Sequence, residues 1–183
     1  MTEDPSPRAF VDLGGETVWK GRILEVRVER FRHADGEEVE REIVRHGGAV
    51  GVLAYDDERV WLVIQPREAI GDPDVLEIPA GRLDVDGESP LAAAQRELAE
   101  EIGRGARRWE PITAFYSTVG FSNEIVHLFA ATDLYASEAD SGENERIEII
   151  AAPLSGLDGL IGRVVDSKTL IALMWLRHRL AGA

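Results

Sequence analysis

The sequence GRLDVDGESPLAAAQRELAEEIG at residues 81–103 decides the fold, because it joins an acidic loop to a helix that carries three glutamates. Ser89 is a favourable N-cap residue, so the helix is predicted to begin there. Within such a helix Glu97 and Glu101 lie one turn apart, with Glu100 beside them. Hard divalent cations prefer carboxylate oxygens as ligands. The stretch therefore predicts a magnesium site.

The same helix has a simpler interpretation, a solvated amphipathic helix with no ligand. Its apolar residues recur at helical spacing and form one buried stripe, namely Leu91, Ala94, Leu98 and Ile102. Arg96 precedes Glu100 by one turn, as a surface ion pair requires. The glycine-bounded loop just upstream, which ends in Glu88, favours the metal site, because an ordinary surface helix has no need of that loop.

The composition limits the class of protein. At 183 residues and 44% hydrophobic content, the chain is predicted to form one domain, or one domain with a small extension. The formal charge of −14 argues against binding to nucleic acid or to an anionic membrane, since both call for basic surfaces. The absence of cysteine excludes disulfides, cysteine zinc sites and thiol nucleophiles. Without a secretory pattern or a long apolar run, the expected location is cytoplasmic.

The chain is predicted to divide into a leading strand meander at residues 1–47 and a main domain at residues 48–183. The meander strands are predicted at residues 16–20, 23–31 and 38–46, with a hairpin turn before the third. A meander this short builds little core of its own, so it is predicted to pack against a second copy of the chain. The main domain mixes strands with a second helix at residues 167–180, which indicates an α/β (α+β) fold.

Residues 81–103 resemble the signature of the Nudix hydrolases, written Gx5Ex7REUxEExGU with U a bulky apolar residue. The positions that fit are Gly81, Glu88, Arg96, Glu97, Leu98, Glu100, Glu101 and Gly103. Two features depart from the pattern: the loop before Glu88 is one residue longer, and Arg104 stands at the closing apolar position. The resemblance implies a Nudix fold, in which a mixed β-sheet is sandwiched between helices, and cleavage of a nucleoside diphosphate linked to another group.

The resemblance also implies a role for each acidic residue. Glu97 and Glu101 would ligate Mg²⁺, or Mn²⁺, with the carbonyl of Ala80 as a further ligand. Glu100 would either ligate the metal or hold a metal-bound water. Arg96 would pair with Glu88 and fix the loop to the helix. Clustered carboxylates remain ionised together only when cations offset their charge, and those cations then bind a diphosphate.

Segments outside the signature resemble the ADP-ribose pyrophosphatase group, although Val119 replaces a proline that is usual there. The matching segments are residues 76–81, 120–124, 142–148 and the final helix. This likeness implies hydrolysis of ADP-ribose to AMP and ribose 5-phosphate in a homodimer that exchanges its meanders. By the same resemblance Glu143 is the leading candidate for the general base, with Glu145 or Glu148 as alternates. A solvated acidic loop is the simpler interpretation of residues 142–148.

Four residues are candidates for substrate contact. Arg67 follows a predicted strand and could pair with a phosphate through its planar guanidinium, or form a surface salt bridge. Trp19 and Phe121 could stack on the adenine, and Trp19 is favoured because an exchanged meander would bring it to the partner's site. Glu124 closes the loop at residues 120–124 that resembles the ADP-ribose group.

Three other functions stay open at this point. The substrate could be another nucleoside diphosphate sugar, such as GDP-mannose or ADP-glucose. The chain could be a non-catalytic Nudix module that senses a nucleotide, although the complete glutamate set argues against that. It could also hydrolyse nucleoside triphosphates, but the leading meander is untypical of such enzymes.

Overall fold

A computed structural model of the protein describes residues 6, 8–137 and 146–182, and it divides into two compact units. The first unit contains the chain up to Gly48 together with Tyr116–Ile125. The second unit contains Ala49–Phe115 and the chain from Val126 onward. Within the described residues, no helix has the length and apolar character needed to cross a membrane.

The first unit is built on a three-stranded antiparallel sheet of β1 (Phe10–Lys20), β2 (Leu24–His33) and β3 (Glu38–His46). The three strands form a meander in which β1 begins six residues before the predicted start at residue 16. The reason is an irregularity in the β1–β2 register at Gly15, which interrupts the alternation that marks a strand. Only glycine fits there, because a Cβ would overlap the backbone of β2.

The second unit is built on a mixed sheet and three helices, as the α/β (α+β) prediction required. The strands are β4 (Ala49–Tyr55), β5 (Arg59–Arg67), β6 (Asp72–Glu77), β7 (Ala80–Arg82), β8 (Arg104–Tyr116), β9 (Ile125–Ala136) and β10 (Glu148–Pro153). They form a sheet of order β10-β5-β4-β9-β8, in which β6 also pairs with β5 and β7 with β4. β4 and β9 pair in parallel, whereas β4 pairs antiparallel with β5 and β7, and β5 pairs antiparallel with β6 and β10. The helices are α1 (Pro90–Ile102), α2 (Leu157–Ile161) and α3 (Ser167–Ala181).

Helices cover both faces of this sheet, which confirms the predicted sandwich. Alternate residues of the central strands face opposite sides, as the two-residue period of a strand requires. Val52 and Val63 pack with α1, whereas Leu53 and Leu62 pack with α2 and α3. The core thus consists of two layers, and α1 is fixed against one of them.

The ends of α1 form as predicted. The Ser89 Oγ accepts a hydrogen bond from the Ala92 N–H at 3.2 Å. Gly103 closes the helix in the left-handed conformation, at φ 63°, with its N–H bonded to the Ala99 carbonyl. Arg104 then begins β8, and its guanidinium lies over the Trp61 ring, 4.9 Å from the centroid. An apolar position of the signature is therefore filled here by a cation that stacks on an aromatic ring.

Candidate functional site

The acidic face of α1 lies against the short strand β7. Glu101 is buried, and its Oε2 accepts a hydrogen bond from the Ala80 N–H at 2.8 Å. The carboxyl group of Glu97 occupies the space where a Cβ at residue 81 would project, so a side chain at Gly81 would displace this carboxyl group. The first glycine of the signature thus leaves room for Glu97 beside β7. The structure brings Ala80, Glu97 and Glu101 together.

Arg96 gathers the remaining carboxylates of the signature. Its Nε and Nη2 donate to Glu88 at 3.2 and 3.1 Å, while Nη1 donates to Glu97 at 2.6 Å and to Glu100 at 3.1 Å. The hydrogen bonds that Arg96 donates to Glu88, assisted by the charge of Glu97, raise the pKa of Arg96 above its ordinary value against the opposing effect of burial. Arg96 therefore fixes the acidic loop to the helix.

The charges in this cluster do not balance. Arg96 lies within ion-pair distance of four carboxylates, namely Glu88, Glu97, Glu100 and, at 3.9 Å, Asp84, which also pairs with Arg82. Glu101 is a further carboxylate on the same helix. Within the part of the chain that the structure describes, no three Asp, Glu, His or Cys side chains already surround a single point closely enough to hold a metal ion. The surplus of negative charge and the all-oxygen donor set nevertheless fit a hard divalent cation.

A second charged cluster surrounds Glu77, which is buried at the end of β6. Arg67 binds it through two hydrogen bonds, and Lys168 of α3 binds it as well. Burial on its own would raise the pKa of Glu77, but the Arg67 hydrogen bond and the Lys168 charge outweigh burial and hold that pKa below its ordinary value. Arg67, a candidate for substrate contact, is therefore engaged in an ion pair with a buried carboxylate.

The start of α3 contacts the short link between β6 and β7. Asp166 caps α3 by accepting from the Thr169 N–H at 2.9 Å, and it also accepts from the Thr169 hydroxyl at 2.6 Å. The same hydroxyl oxygen accepts the Ile78 N–H at 2.8 Å, in the core. Sequence analysis missed this network. The only local signal was a glutamate inside the apolar run at residues 75–80.

The candidates Trp19 and Phe121 lie in the first unit, and both are more than half exposed. The Trp19 ring covers Gly21, where a Cβ would overlap it. Phe121 lines a cavity of about 460 Å³ between β2, β3 and the loop at residues 119–123. Aromatic rings and guanidinium groups share this cavity, which is lined among others by Phe10, Phe31, Phe121, Arg41 and Arg45.

Glu124 also lies in the first unit, at the end of the loop that carries Phe121. Its backbone carbonyl accepts the Ser117 N–H at 3.0 Å, and its own N–H donates to the Ser122 hydroxyl at 3.1 Å. Its carboxylate faces His46, with 3.4 Å between Oε1 and Nδ1. Glu143 and Glu145, the candidates for the general base, lie outside the described residues, whereas Glu148 lies on β10 opposite Ile64.

Comparison with known proteins agrees with this geometry. A family model for the NUDIX domain matches residues 45–157. The ADP-ribose pyrophosphatase of Bacillus subtilis (strain 168) is 38% identical over 170 residues, covering 90% of this chain and 91% of that protein. The methanol dehydrogenase activator of Bacillus methanolicus is 35% identical over 166 residues, with 88% and 89% coverage.

A solved structure supports the same conclusion for the fold. The crystal structure of an ADP compounds hydrolase superimposes with a TM-score of 0.84, at 23% identity and with 98% of each chain covered. At that identity the likeness concerns the fold alone. The family match over residues 45–157 includes the whole signature at residues 81–103. The chain therefore belongs to the Nudix family.

Proposed function

We propose that the protein hydrolyses the diphosphate bond of ADP-ribose to AMP and ribose 5-phosphate, with Mg²⁺ or Mn²⁺ as cofactor. The observation that carries the reaction class is the carboxylate surplus around Arg96, which suits a cation-dependent reaction at a diphosphate. The choice of ADP-ribose is supported by the relative from Bacillus subtilis, which is an ADP-ribose pyrophosphatase similar over nearly its whole length.

The metal would be held by Glu97, Glu100 and Glu101, with the Ala80 carbonyl as a further ligand. A divalent ion in such a site neutralises phosphate charge and lowers the pKa of bound water. The chain's own contribution is to hold the ligands in place. Arg96 keeps Glu97 and Glu100 together, and the Ala80 N–H orients the Glu101 carboxylate. We assign the general base to Glu143, with Glu145 as the alternate, to accept the proton of the attacking water.

Arg67 is proposed to contact a phosphate of the substrate in addition to Glu77. Its Nε and Nη2 are bonded to Glu77, which leaves Nη1 to donate to a phosphate oxygen. The pairing also holds the guanidinium in one orientation, which lowers the entropy lost on binding. The side chain is 42% exposed, so a ligand has access to it.

The first unit is proposed to recognise the nucleoside and to mediate dimer formation. In the cavity lined by Phe121, the aromatic rings would stack on the nucleobase and the arginines would bind an anionic group of the substrate. The sheet also exposes apolar side chains that a second copy of the chain would cover, among them Phe10, Val11, Val18 and Trp19. In such a homodimer Trp19 would reach the partner's substrate, and Glu124 is proposed to accept a hydroxyl of the sugar.

The test is a panel of ADP-ribose, ADP-glucose and GDP-mannose, assayed with Mg²⁺ for kcat/KM. We expect ADP-ribose to give the highest value. Glu101→Gln should lower kcat/KM by roughly 100-fold or more, because mutation of the residues that merely support metal ligands already lowers metal affinity or activity by about 10–100-fold. Glu58→Gln, an exposed turn residue, is the matched control and should match the wild type.

Each alternative has its own outcome. A much higher kcat/KM for GDP-mannose would show that the substrate assignment is wrong. A wild-type protein that cleaves no diphosphate with either metal would instead be a binding module. Full activity in Glu101→Gln would refute the metal site.

A further inference from the structure

His46, the last residue of β3, has two candidate partners for a single ring nitrogen. Its Nδ1 accepts the Gly48 N–H at 3.1 Å. The same Nδ1 lies 3.4 Å from Oε1 of Glu124. The His46 side chain is 11% exposed and that of Glu124 is 30% exposed, so water competes only partly for these contacts. The arrangement links an imidazole to a carboxylate that is proposed to bind substrate.

The two contacts exclude each other chemically. A neutral imidazole with its proton on Nε2 has a lone pair on Nδ1, which accepts the Gly48 N–H but offers no proton to Glu124. A protonated imidazole carries a proton on Nδ1, which donates to the Glu124 carboxylate and leaves the Gly48 N–H without this acceptor. Imidazole is the side chain that changes charge between pH 5 and 8.

The backbone around Glu124 is held in place, so the exchange acts on its carboxylate. The His46 N–H donates to Oδ1 of Asn123 at 2.8 Å, and the Asn123 N–H donates to the Val44 carbonyl at 3.3 Å. The Val44 N–H in turn donates to the Phe121 carbonyl at 2.8 Å. These bonds anchor the loop along the end of β3. A change at the His46 ring would therefore act on the Glu124 side chain and not on its main chain.

We propose that His46 is a positioning residue that sets whether the Glu124 carboxylate is available to the substrate. With the ring neutral, Glu124 is available to a substrate hydroxyl; with the ring protonated, His46 holds Glu124 in an ion pair and substrate affinity falls. This inference rests on the proposed function, because it takes Glu124 as a substrate contact.

Other charged groups lie near His46 but respond differently to pH. A small depression beside the ring is lined by Lys20, Arg22, Glu25 and Arg45 as well as by His46. Ammonium, guanidinium and carboxylate groups ordinarily keep their charge between pH 5 and 8. A change of KM in that interval that depends on residue 46 is therefore assigned to the imidazole.

The kinetic test uses His46→Asn, whose Oδ1 takes the place of Nδ1 as acceptor for Gly48 but does not titrate. In the wild type we expect KM for ADP-ribose to rise about tenfold between pH 8 and pH 5.5, the factor of one hydrogen bond to a charged group. His46→Asn should lose this rise in KM, while any pH dependence of kcat stays. His178→Asn, an exposed histidine on α3, should keep the wild-type rise. A rise that persists in His46→Asn would overturn the proposal.

A second measurement reports on the exchange without any turnover. In the substrate-free wild type, the Gly48 amide proton resonance should move as pH falls from 8 to 5.5, because the amide loses its acceptor. In His46→Asn it should stay constant. If the Gly48 amide proton resonance of the wild type did not change with pH, the proposal would also be overturned. Absence of ADP-ribose hydrolysis would refute the proposed function instead, and the Gly48 resonance would still decide whether His46 exchanges partners.

Discussion

The second unit holds two clusters of charged residues that differ in their charge balance. The cluster around Glu77 contains two carboxylates and two cations. The carboxylates are Glu77 and Asp166, and the cations are Arg67 and Lys168. Around Arg96, four carboxylates, Asp84, Glu88, Glu97 and Glu100, face two cations, Arg96 and Arg82. Both clusters join a strand or loop to a helix through hydrogen-bonded ion pairs. Among the ion pairs of the described residues, carboxylates outnumber cations in the second cluster and not in the first.

The difference separates a structural role from a chemical one. A buried ion pair is tolerated when its charges cancel and its hydrogen bonds are satisfied, as they are around Glu77. Repulsion among carboxylates is unfavourable for a fold, so a surplus is expected where a cation binds. The cluster around Glu77 is therefore assigned a structural role, while the cluster around Arg96 belongs to the proposed cation site.

The largest expected effect comes from removing one cation of the balanced cluster. Lys168→Met should lower the free energy of unfolding by about 3 kcal/mol, because it leaves Glu77 buried with one partner fewer. Arg59→Met removes a cation from an exposed pair with Glu58 and should cost at most about 1 kcal/mol. Urea denaturation of the two variants measures the contrast. Equal losses in the free energy of unfolding would show that the cluster around Glu77 stabilises the fold no more than an exposed ion pair does.

The sequence predicted these two clusters unequally. The cluster around Arg96 lies within residues 81–103, so local spacing together with the resemblance was enough to place Glu88, Glu97 and Glu100 near it. The cluster around Glu77 depends on Lys168, which is 91 positions away along the chain. No local pattern indicates which distant cation will meet a lone glutamate in an apolar strand.

The elements of the fold were likewise predictable only where neighbouring residues define them. The ends of α1 were predictable because Ser89 and Gly103 act on their own neighbours. For β8 the sequence predicts a strand only at residues 112–117, so the first half of β8 was missed, because an edge strand with polar residues on both faces has no two-residue hydrophobic alternation. The short helix α2 was missed because its five residues give too little helical periodicity. Contacts between distant elements define such segments.

A smaller effect is expected when the unbalanced cluster receives its cation. Mg²⁺ should stabilise the wild type by about 1.4 kcal/mol at ten times its Kd, because it binds only the folded state. Glu100→Gln should reduce this gain, since it removes one carboxylate from the surplus. Lys168→Met should keep the full gain despite its lower stability. Thermal unfolding of all three proteins with and without Mg²⁺ measures the stabilisation. If Mg²⁺ stabilised Glu100→Gln but not Lys168→Met, the cation would bind at the cluster around Glu77 and not at the cluster around Arg96.

The smallest effect is expected in the pH dependence of stability, and it concerns the balanced cluster alone. The pKa of Glu77 is lower in the folded state than its ordinary value, because Arg67 and Lys168 favour the carboxylate despite burial. A carboxylate with a lowered folded pKa contributes stability above its unfolded pKa and loses that contribution as pH falls through the folded value. The wild type should therefore lose stability as pH falls below about 4.5, near the unfolded pKa of a glutamate.

Glu77→Gln isolates this contribution, because its amide keeps the shape of the side chain but carries no titrating proton. The variant should be less stable than the wild type at pH 7, and the difference should shrink toward acid pH as the wild type loses the charge of Glu77. Urea denaturation from pH 3.5 to pH 7 gives both curves, with Glu58→Gln as the exposed control. A constant difference across this range would mean that Glu77 contributes through its packing and hydrogen bonds, and that the balance of charge around it has no energetic role.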